Sequence, residues 1–252
     1  MDYATAFDRN LQEGLETVSI KLPIWQGIMD ISGIDYLGLD RVLKRGTGEI
    51  LAEQDNALLV RDSVSKAYLL ACEDMETGIT LLDRFGGQDC DLLMVSNYAL
   101  GITAFERYGF SEKLECYQVA YYGEKPVIST ELTVRTADEY DLPMLTENYQ
   151  LISPEELKMA VGRRSILLGY DGDQLIGFIG EHLEGGMGIL YVFLEYRHKG
   201  YGTALQTHLM VKTMEQGYIP FGQVEKNNKI SLSLQKKLGM TQSDHLIVWM
   251  WK

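Results

Sequence analysis

The stretch Arg197-His198-Lys199-Gly200-Tyr201-Gly202 constrains this chain more than any other, because of what lies on either side of it. Before it, Ile189-Leu190-Tyr191-Val192-Phe193-Leu194 is an apolar segment of β type. After it, Thr203 to Gln216 contains no Gly or Pro. Leu205 and Leu209 are four apart there, as are Met210 and Met214, which predicts a helix apolar on more than one face. A strand, a glycine turn and a helix bring successive backbone N–H groups and the positive end of a helix dipole onto one anion. Gly200 and Gly202 let the main chain approach phosphate oxygens without a Cβ in the way. Arg197, His198 and Lys199 add positive charge at the rim. The pattern fits a pyrophosphate, with another phosphate site and a plain tight turn as the other readings. A dinucleotide loop would need glycine where Leu205 stands and would lie at the first strand of its domain. The G-K-[ST] of a Walker loop is absent.

The 252 residues suffice for two domains of ordinary size. A break falls at Gly123-Glu124-Lys125-Pro126-Val127-Ile128, between the apolar strand Tyr117 to Tyr122 and a fresh one, Leu132 to Arg135. The expected units are residues 1–125 and 130–252. Charge divides unevenly across them: residues 1–125 hold 11 Lys/Arg against 21 Asp/Glu, and the rest hold 12 against 15. A net charge of −13 repels a phosphate backbone, so nucleic acid is not an expected partner. No apolar run approaches the ~18 residues of a membrane helix. Met1 to Asp8 shows no basic stretch leading into an apolar core, so a cytoplasmic protein without membrane association is expected. Cys72, Cys90 and Cys116 lack metal-type spacing and read as reduced residues in or near a core. His182, His198, His208 and His245 are scattered, and no metal is expected.

The second unit reads as a compact α/β domain. A strand over Glu131 to Arg135 leads into a helix through Leu145, and Ser153-Pro154-Glu155-Glu156 caps another. Ile166 to Tyr170 and Gln174 to His182 form a hairpin across Asp171-Gly172-Asp173. After the long helix come a strand over Tyr218 to Val224, a helix from Lys229 to Leu238 ended by Gly239, and a strand over His245 to Trp251. In the first unit, Ala57 to Val60 and Tyr68 to Ala71 can pair, and Asp91 to Val95 is a further strand. Asn97, a helical stretch through Tyr108 and Gly109-Phe110 echo Asn228 through Gly239-Met240.

This order of elements, with R-x-x-G-x-G after an apolar strand and Asn228-Lys229-Ile230-Ser231 before Leu238-Gly239-Met240, resembles the GNAT N-acyltransferase superfamily. The wording Glu195-Tyr196-Arg197 and Tyr218-Ile219-Pro220 looks most like its glycine N-acyltransferase-like branch. The resemblance implies an α/β fold on a mixed sheet, in a two-lobe tandem whose N-terminal lobe is degenerate and lacks the cofactor loop. It implies an N-acyltransferase, in the first instance an N-acetyltransferase, moving an acyl group from acetyl-CoA or another acyl-CoA to a primary amine of a small molecule. A catalytically inactive coenzyme A-binding regulator is the alternative. Oligomeric state is left open.

The resemblance also assigns residues. Main-chain groups of Leu190, Tyr191 and Val192 would pair with pantetheine, and the Val192 N–H would polarise the thioester oxygen. Arg197, His198, Lys199, Gly200, Tyr201, Gly202 and Thr203 would hold the pyrophosphate, with Asn228 and Ser231 along the arm. The chemistry calls for a base, since a lysine-type amine has a pKa near ~10.4, whereas a thiol near ~8.5 leaves as thiolate without much help. Glu184 and Glu181, either side of the turn into the loop-bearing strand, are the candidates. Glycine stands at Gly186, where glycine N-acyltransferases carry their base, and Gln235 replaces the tyrosine acid usual in the superfamily.

Overall fold

The computed structural model describes Gly27 and residues 29–85, 90–128 and 131–252. Its first half runs α1 (Leu37–Lys44), β1 (Gly48–Gln54), β2 (Ala57–Asp62), β3 (Tyr68–Cys72), α2 (Met75–Arg84), β4 (Leu92–Val95), α3 (Tyr98–Arg107) and β5 (Glu112–Ala120). The second half runs β6 (Thr133–Thr136), α4 (Leu142–Asn148), α5 (Pro154–Gly162), β7 (Ile166–Asp171), β8 (Gln174–Gly180), β9 (Tyr191–Val192), α6 (Tyr201–Glu215), β10 (Phe221–Glu225), α7 (Lys229–Lys237) and β11 (Thr241–Trp251). The fold is a mixed α/β architecture, as the sequence predicts.

Strands that carry unbroken apolar runs have helices over both faces. In β2, Ala57 and Leu59 join the core beneath α2 and α3, while Leu58 and Val60 join the one beneath α1. In β7, Leu167 faces α6 and α7, while Ile166 and Leu168 face α4 and α5. Helix ends are set locally. The Asn97 side chain accepts from Leu100 N–H at 3.1 Å, and Asn228 accepts from Ser231 N–H at 3.0 Å. Gly109 and Gly239, just past the same two helices, take φ of 72° and 73°. Ser153 caps α5 through Glu156 N–H, with Pro154 in the first turn. Among the described residues, no helix is long and apolar enough to cross a membrane. Cys72, Cys90 and Cys116 are buried free thiols.

The strands form two sheets, one ordered β1-β2-β3-β4-β11-β5-β10 and the other β6-β7-β8-β9. The sheets touch through one parallel bridge, Met187 with Gly222, where Met187 N–H donates to Phe221 O at 2.7 Å. Gly222 permits this approach: a Cβ there would lie 2.5 Å from the Met187 carbonyl oxygen.

Sequence did not anticipate how the halves interlock. β5, from the first half, lies between β10 and β11 of the second. β11 lies between β5 and β4. The β5–β11 register runs from Glu112 opposite Trp251 to Ala120 opposite Thr241, with an irregularity between Gln242 and Leu246. Residues 121–128, between the halves, have no regular structure. Helices α1 and α2 and strand β1 were not anticipated either. Gly86-Gly87, a glycine pair without the basic residues or the long following helix of a cofactor loop, lies outside the described residues.

Because β10 and β11 bond to β5 and not to each other, residues 131–252 alone leave two apolar edges open. That fragment is expected to show no cooperative urea transition, and co-expression with residues 1–128 should restore one. A cooperatively folding fragment would show that the exchanged strand is dispensable.

Candidate active site

Past the Met187–Gly222 bridge, β9 and β10 part and leave a cleft of about 430 Å³ between them. One arm presents Met187, Gly188 and Leu190, and the other presents Gly222 to Glu225. Asn228, Ser231 and Gln235 of α7 and Gln206 of α6 line it as well. The cleft brings together three of the expected cofactor residues, Leu190, Asn228 and Ser231.

Hydrogen-bond alternation decides which groups of β9 face the opening. Phe193 N–H donates to Ile176 O at 3.0 Å, and Val192 pairs opposite Gly177 between two such bonded positions. The Val192 N–H and C=O therefore point to the free edge. The Val192 carbonyl is met there by Arg197 Nε at 2.9 Å. Two expectations change. Tyr191 sits one position out of phase, so its main chain faces β8, and its ring stacks on Phe178. Leu190 N–H folds back onto Gly188 O at 2.7 Å, a kink that cuts the expected six-residue strand to Tyr191–Val192. Tyr149 O–H donates to the same carbonyl at 3.1 Å.

The glycine loop ends at Gly200, the first cap of α6, with φ of 88° and no side-chain cap. By contrast α2, α3, α5 and α7 are capped by Asp74, Asn97, Ser153 and Asn228. First-turn N–H groups of Tyr201, Gly202 and Thr203 thus have no side-chain acceptor. No atom lies within 4 Å of where a Gly200 Cβ would be, so the approach is clear. Arg197, His198 and Lys199 are exposed around it, Lys199 over the Tyr196 ring and Arg197 over the Tyr191 ring. His198 holds a left-handed φ of 63°. Tyr201 turns its hydroxyl to Asp171. Charge, clear backbone and an open dipole end coincide in one place, which is what an anion requires.

A second cleft, about 510 Å³, opens on the α5 side and shares Leu114, Leu151, Ile152, His182, Gln223 and Trp251 with the first. Glu184 lines it and is buried. Burial pushes its carboxyl above the usual carboxylate range, against the opposing pull of His182. Glu181 is elsewhere. It lines a separate cavity of about 740 Å³, where Arg41 Nη1 at 3.1 Å and Thr213 Oγ1 at 2.9 Å both donate to its Oε1. A carboxylate so engaged beside a buried arginine faces this cavity, which meets the other two clefts at His182.

Sequence reasoning passed over His182. Its Nδ1 lies 3.2 Å from Glu156 Oε1, and its Nε2 sits over Gly188, where a Cβ would come within 2.5 Å. Burial alone would lower this imidazole. The Glu156 hydrogen bond and the charges of Glu184 and Glu156 outweigh burial, and the group titrates above its ordinary value. A carboxylate on one ring nitrogen leaves the other to work on the floor of the cleft.

Gln235, in the place of a tyrosine acid, is locked by a reciprocal pair with Gln206, at 2.5 and 3.2 Å. Both amides are buried. The first half has a matching strand–helix–strand run, β3-α2-β4, but there the parallel strands stay paired over Tyr68–Leu93, Leu69–Met94 and Leu70–Val95. Its helix N-terminus is filled by the Asp74 carboxylate, bonded to Thr77 N–H at 2.8 Å.

The model of the acetyltransferase (GNAT) family matches residues 133–240, and this segment is a GNAT acetyltransferase domain. Family membership of that domain implies acyl transfer from acyl-coenzyme A. Solved structures share the fold over most of the chain. A Drosophila protein has TM-score 0.63 at 16% identity, covering 88% of this chain and 91% of its own. A GCN5-related N-acetyltransferase from Kribbella flavida has TM-score 0.55 at 10% identity, covering 90% and 96%. A GNAT-family acetyltransferase from Novosphingobium aromaticivorans has TM-score 0.53 at 14% identity, covering 83% and 93%. No curated protein sequence gives a significant match.

The amide pair supplies a stability test. Gln235→Leu strands the buried Gln206 amide and should cost about 1–3 kcal/mol, while Gln206→Leu/Gln235→Leu together should cost less than the two single changes added. Urea denaturation of the four proteins of this cycle checks it.

Proposed function

We propose that this protein transfers an acyl group, acetyl in the first instance, from acyl-coenzyme A to a primary amine. The observation that carries the reading is the parting of β9 and β10 at Met187 and Gly222, with the uncapped first turn of α6 packed at Gly202 against Val192 of β9. Backbone N–H groups of Gly200 to Thr203 hold the pyrophosphate, helped by Arg197, His198 and Lys199. The Val192 N–H, on the free edge, donates to the thioester oxygen as negative charge builds there. Asn228 and Ser231 line the pantetheine arm.

The amine enters through the second cleft. His182 Nε2 takes the proton that turns the arriving ammonium into free amine; the nitrogen then bonds to the thioester carbon, the carbon–sulfur bond breaks, and the released thiolate takes the second proton from nitrogen. Glu156 holds the imidazole and stabilises its charged form. Glu184, buried beside it, adds negative potential where the ammonium arrives. The halves we read as tandem GNAT-like lobes, the first closed to coenzyme A because β3 and β4 never part and Asp74 occupies its helix end. One observation favours the alternative of a coenzyme A-binding regulator without turnover: Gln235, locked to Gln206, offers the sulfur no acid. Thiol release with any amine rejects that alternative.

Gly200→Val should lose measurable acetyl-CoA affinity by calorimetry while staying folded. The substitution puts a branched side chain into a left-handed position and over the approach to the N–H groups. Unchanged affinity would remove the loop from the site.

His182→Gln should lower kcat by ~10² or more, within the ~10²–10⁴ that positioned acid–base groups contribute, and leave acetyl-CoA affinity intact. A base works once deprotonated, so kcat/KM should rise with pH through a midpoint above the ordinary histidine value of about 6.5. Glu156→Gln removes a carboxylate that raises the imidazole, so that midpoint should move to lower pH. A midpoint that stays put would exclude the pair from proton transfer.

A further inference from the structure

We infer that the acceptor is a primary amine carried on an apolar body, aromatic or aliphatic, with a single positive charge and no carboxylate of its own. The inference rests on the acyl-transfer reading above and concerns the second cleft of that same site. This cleft is walled by Trp249 and Trp251 of β11, Leu114 and Cys116 of β5, and Leu151 and Ile152 between α4 and α5. These apolar groups are held open to an incoming molecule: Leu114 is 38% exposed, Leu151 82% and Trp251 36%. Trp249 is fixed by Nε1–H donating to Gln223 Oε1 at 2.9 Å and forms part of the wall. The Gln223 Nε2, buried and without a partner among the described residues, adds one hydrogen-bond donor where the two clefts meet.

Charge in the cleft is one-sided. Among the described residues that line it, the ionisable carboxyls are Glu156 and Glu184, beside His182, and none is lysine or arginine. An amino-acid acceptor would bring a carboxylate next to two glutamates, where the one basic group of the described lining, His182, is already engaged by Glu156. A polyamine would bring second and third cations against tryptophan and leucine. Glu156 is already paired with His182, which leaves Glu184 as the one carboxyl of the cleft to meet an ammonium. The volume, about 510 Å³, leaves ample room for an aromatic ring with a short chain. Leu114 and Cys116 come from the first half, so that half would help to select the acceptor.

The test compares 2-phenylethylamine with phenylalanine, which differ by one carboxylate, and with hexylamine and spermidine, on the full chain with acetyl-CoA. Thiol release gives kcat/KM for each. Phenylethylamine and hexylamine should exceed phenylalanine by about a hundredfold and should exceed spermidine as well. Leu114→Arg, a change at a partly exposed position, places a cation in the wall and should narrow the phenylethylamine-to-phenylalanine ratio at least tenfold. Trp251→Ala should raise KM for phenylethylamine more than it lowers kcat. Preference for phenylalanine or spermidine, or a ratio unmoved by Leu114→Arg, overturns the acceptor assignment and leaves acyl transfer standing. If acetyl-CoA binds yet no amine releases thiol, the acyl-transfer reading itself fails and the acceptor assignment falls with it.

Discussion

β5 and β11 run antiparallel at the centre of the large sheet, and each is bonded on its other side to a strand of the opposite type: β5 to β10, β11 to β4. The second half cannot complete its sheet without the first, and the reverse is equally true. From this exchange follows the position of both clefts. β5 bonds to the whole length of β10, and Leu114, Cys116, Trp249 and Trp251 of β5 and β11 form one wall of the second cleft. Trp249 and Gln223, from adjoining parts of that sheet, are tied to one another as a result.

The site divides labour between an end that attracts negative charge and an end that attracts positive charge. At the first, α6 begins without the side-chain cap found on four other helices, and its N–H groups stay available. At the second, Glu156 and Glu184 surround one histidine in a largely apolar chamber. The comparison within the molecule is instructive, because β3-α2-β4 has the same succession of elements as β9-α6-β10 with neither property. Its strands do not part, and an aspartate already occupies the helix end. Small local differences therefore separate an open cleft from a solid core.

Much of this was legible where the signal was local. The strand, loop and helix around Gly200 lie within 30 residues, and the Asn97/Gly109 and Asn228/Gly239 cap pairs mark their helices by adjacent chemistry. His182 was illegible because Glu156 stands 26 residues away and meets it only when α5 packs over the end of β8. Alternation could not choose between Glu181 and Glu184, since the intervening turn, with Gly185 at φ of 99°, breaks strand parity. Helix α2 was hidden by Gly78, a poor helix former. Packing explains that residue, because a Cβ there would lie 2.2 Å from Leu100 Cδ2. β1 lacked a clean period because it lies at the sheet edge and is half exposed. The strand exchange had no sequence signal, being a choice of partner between apolar strands of equal suitability.

That exchange also orders events during synthesis. β4 has its parallel neighbour β3 as soon as the first half emerges, but its other edge waits for residues 248–251. An apolar strand edge and the core beneath α3 therefore stay incomplete while more than a hundred further residues are made. The nascent first half is a client for any factor that shields open edges, and folding ends in one late, long-range closure in place of two successive domain foldings.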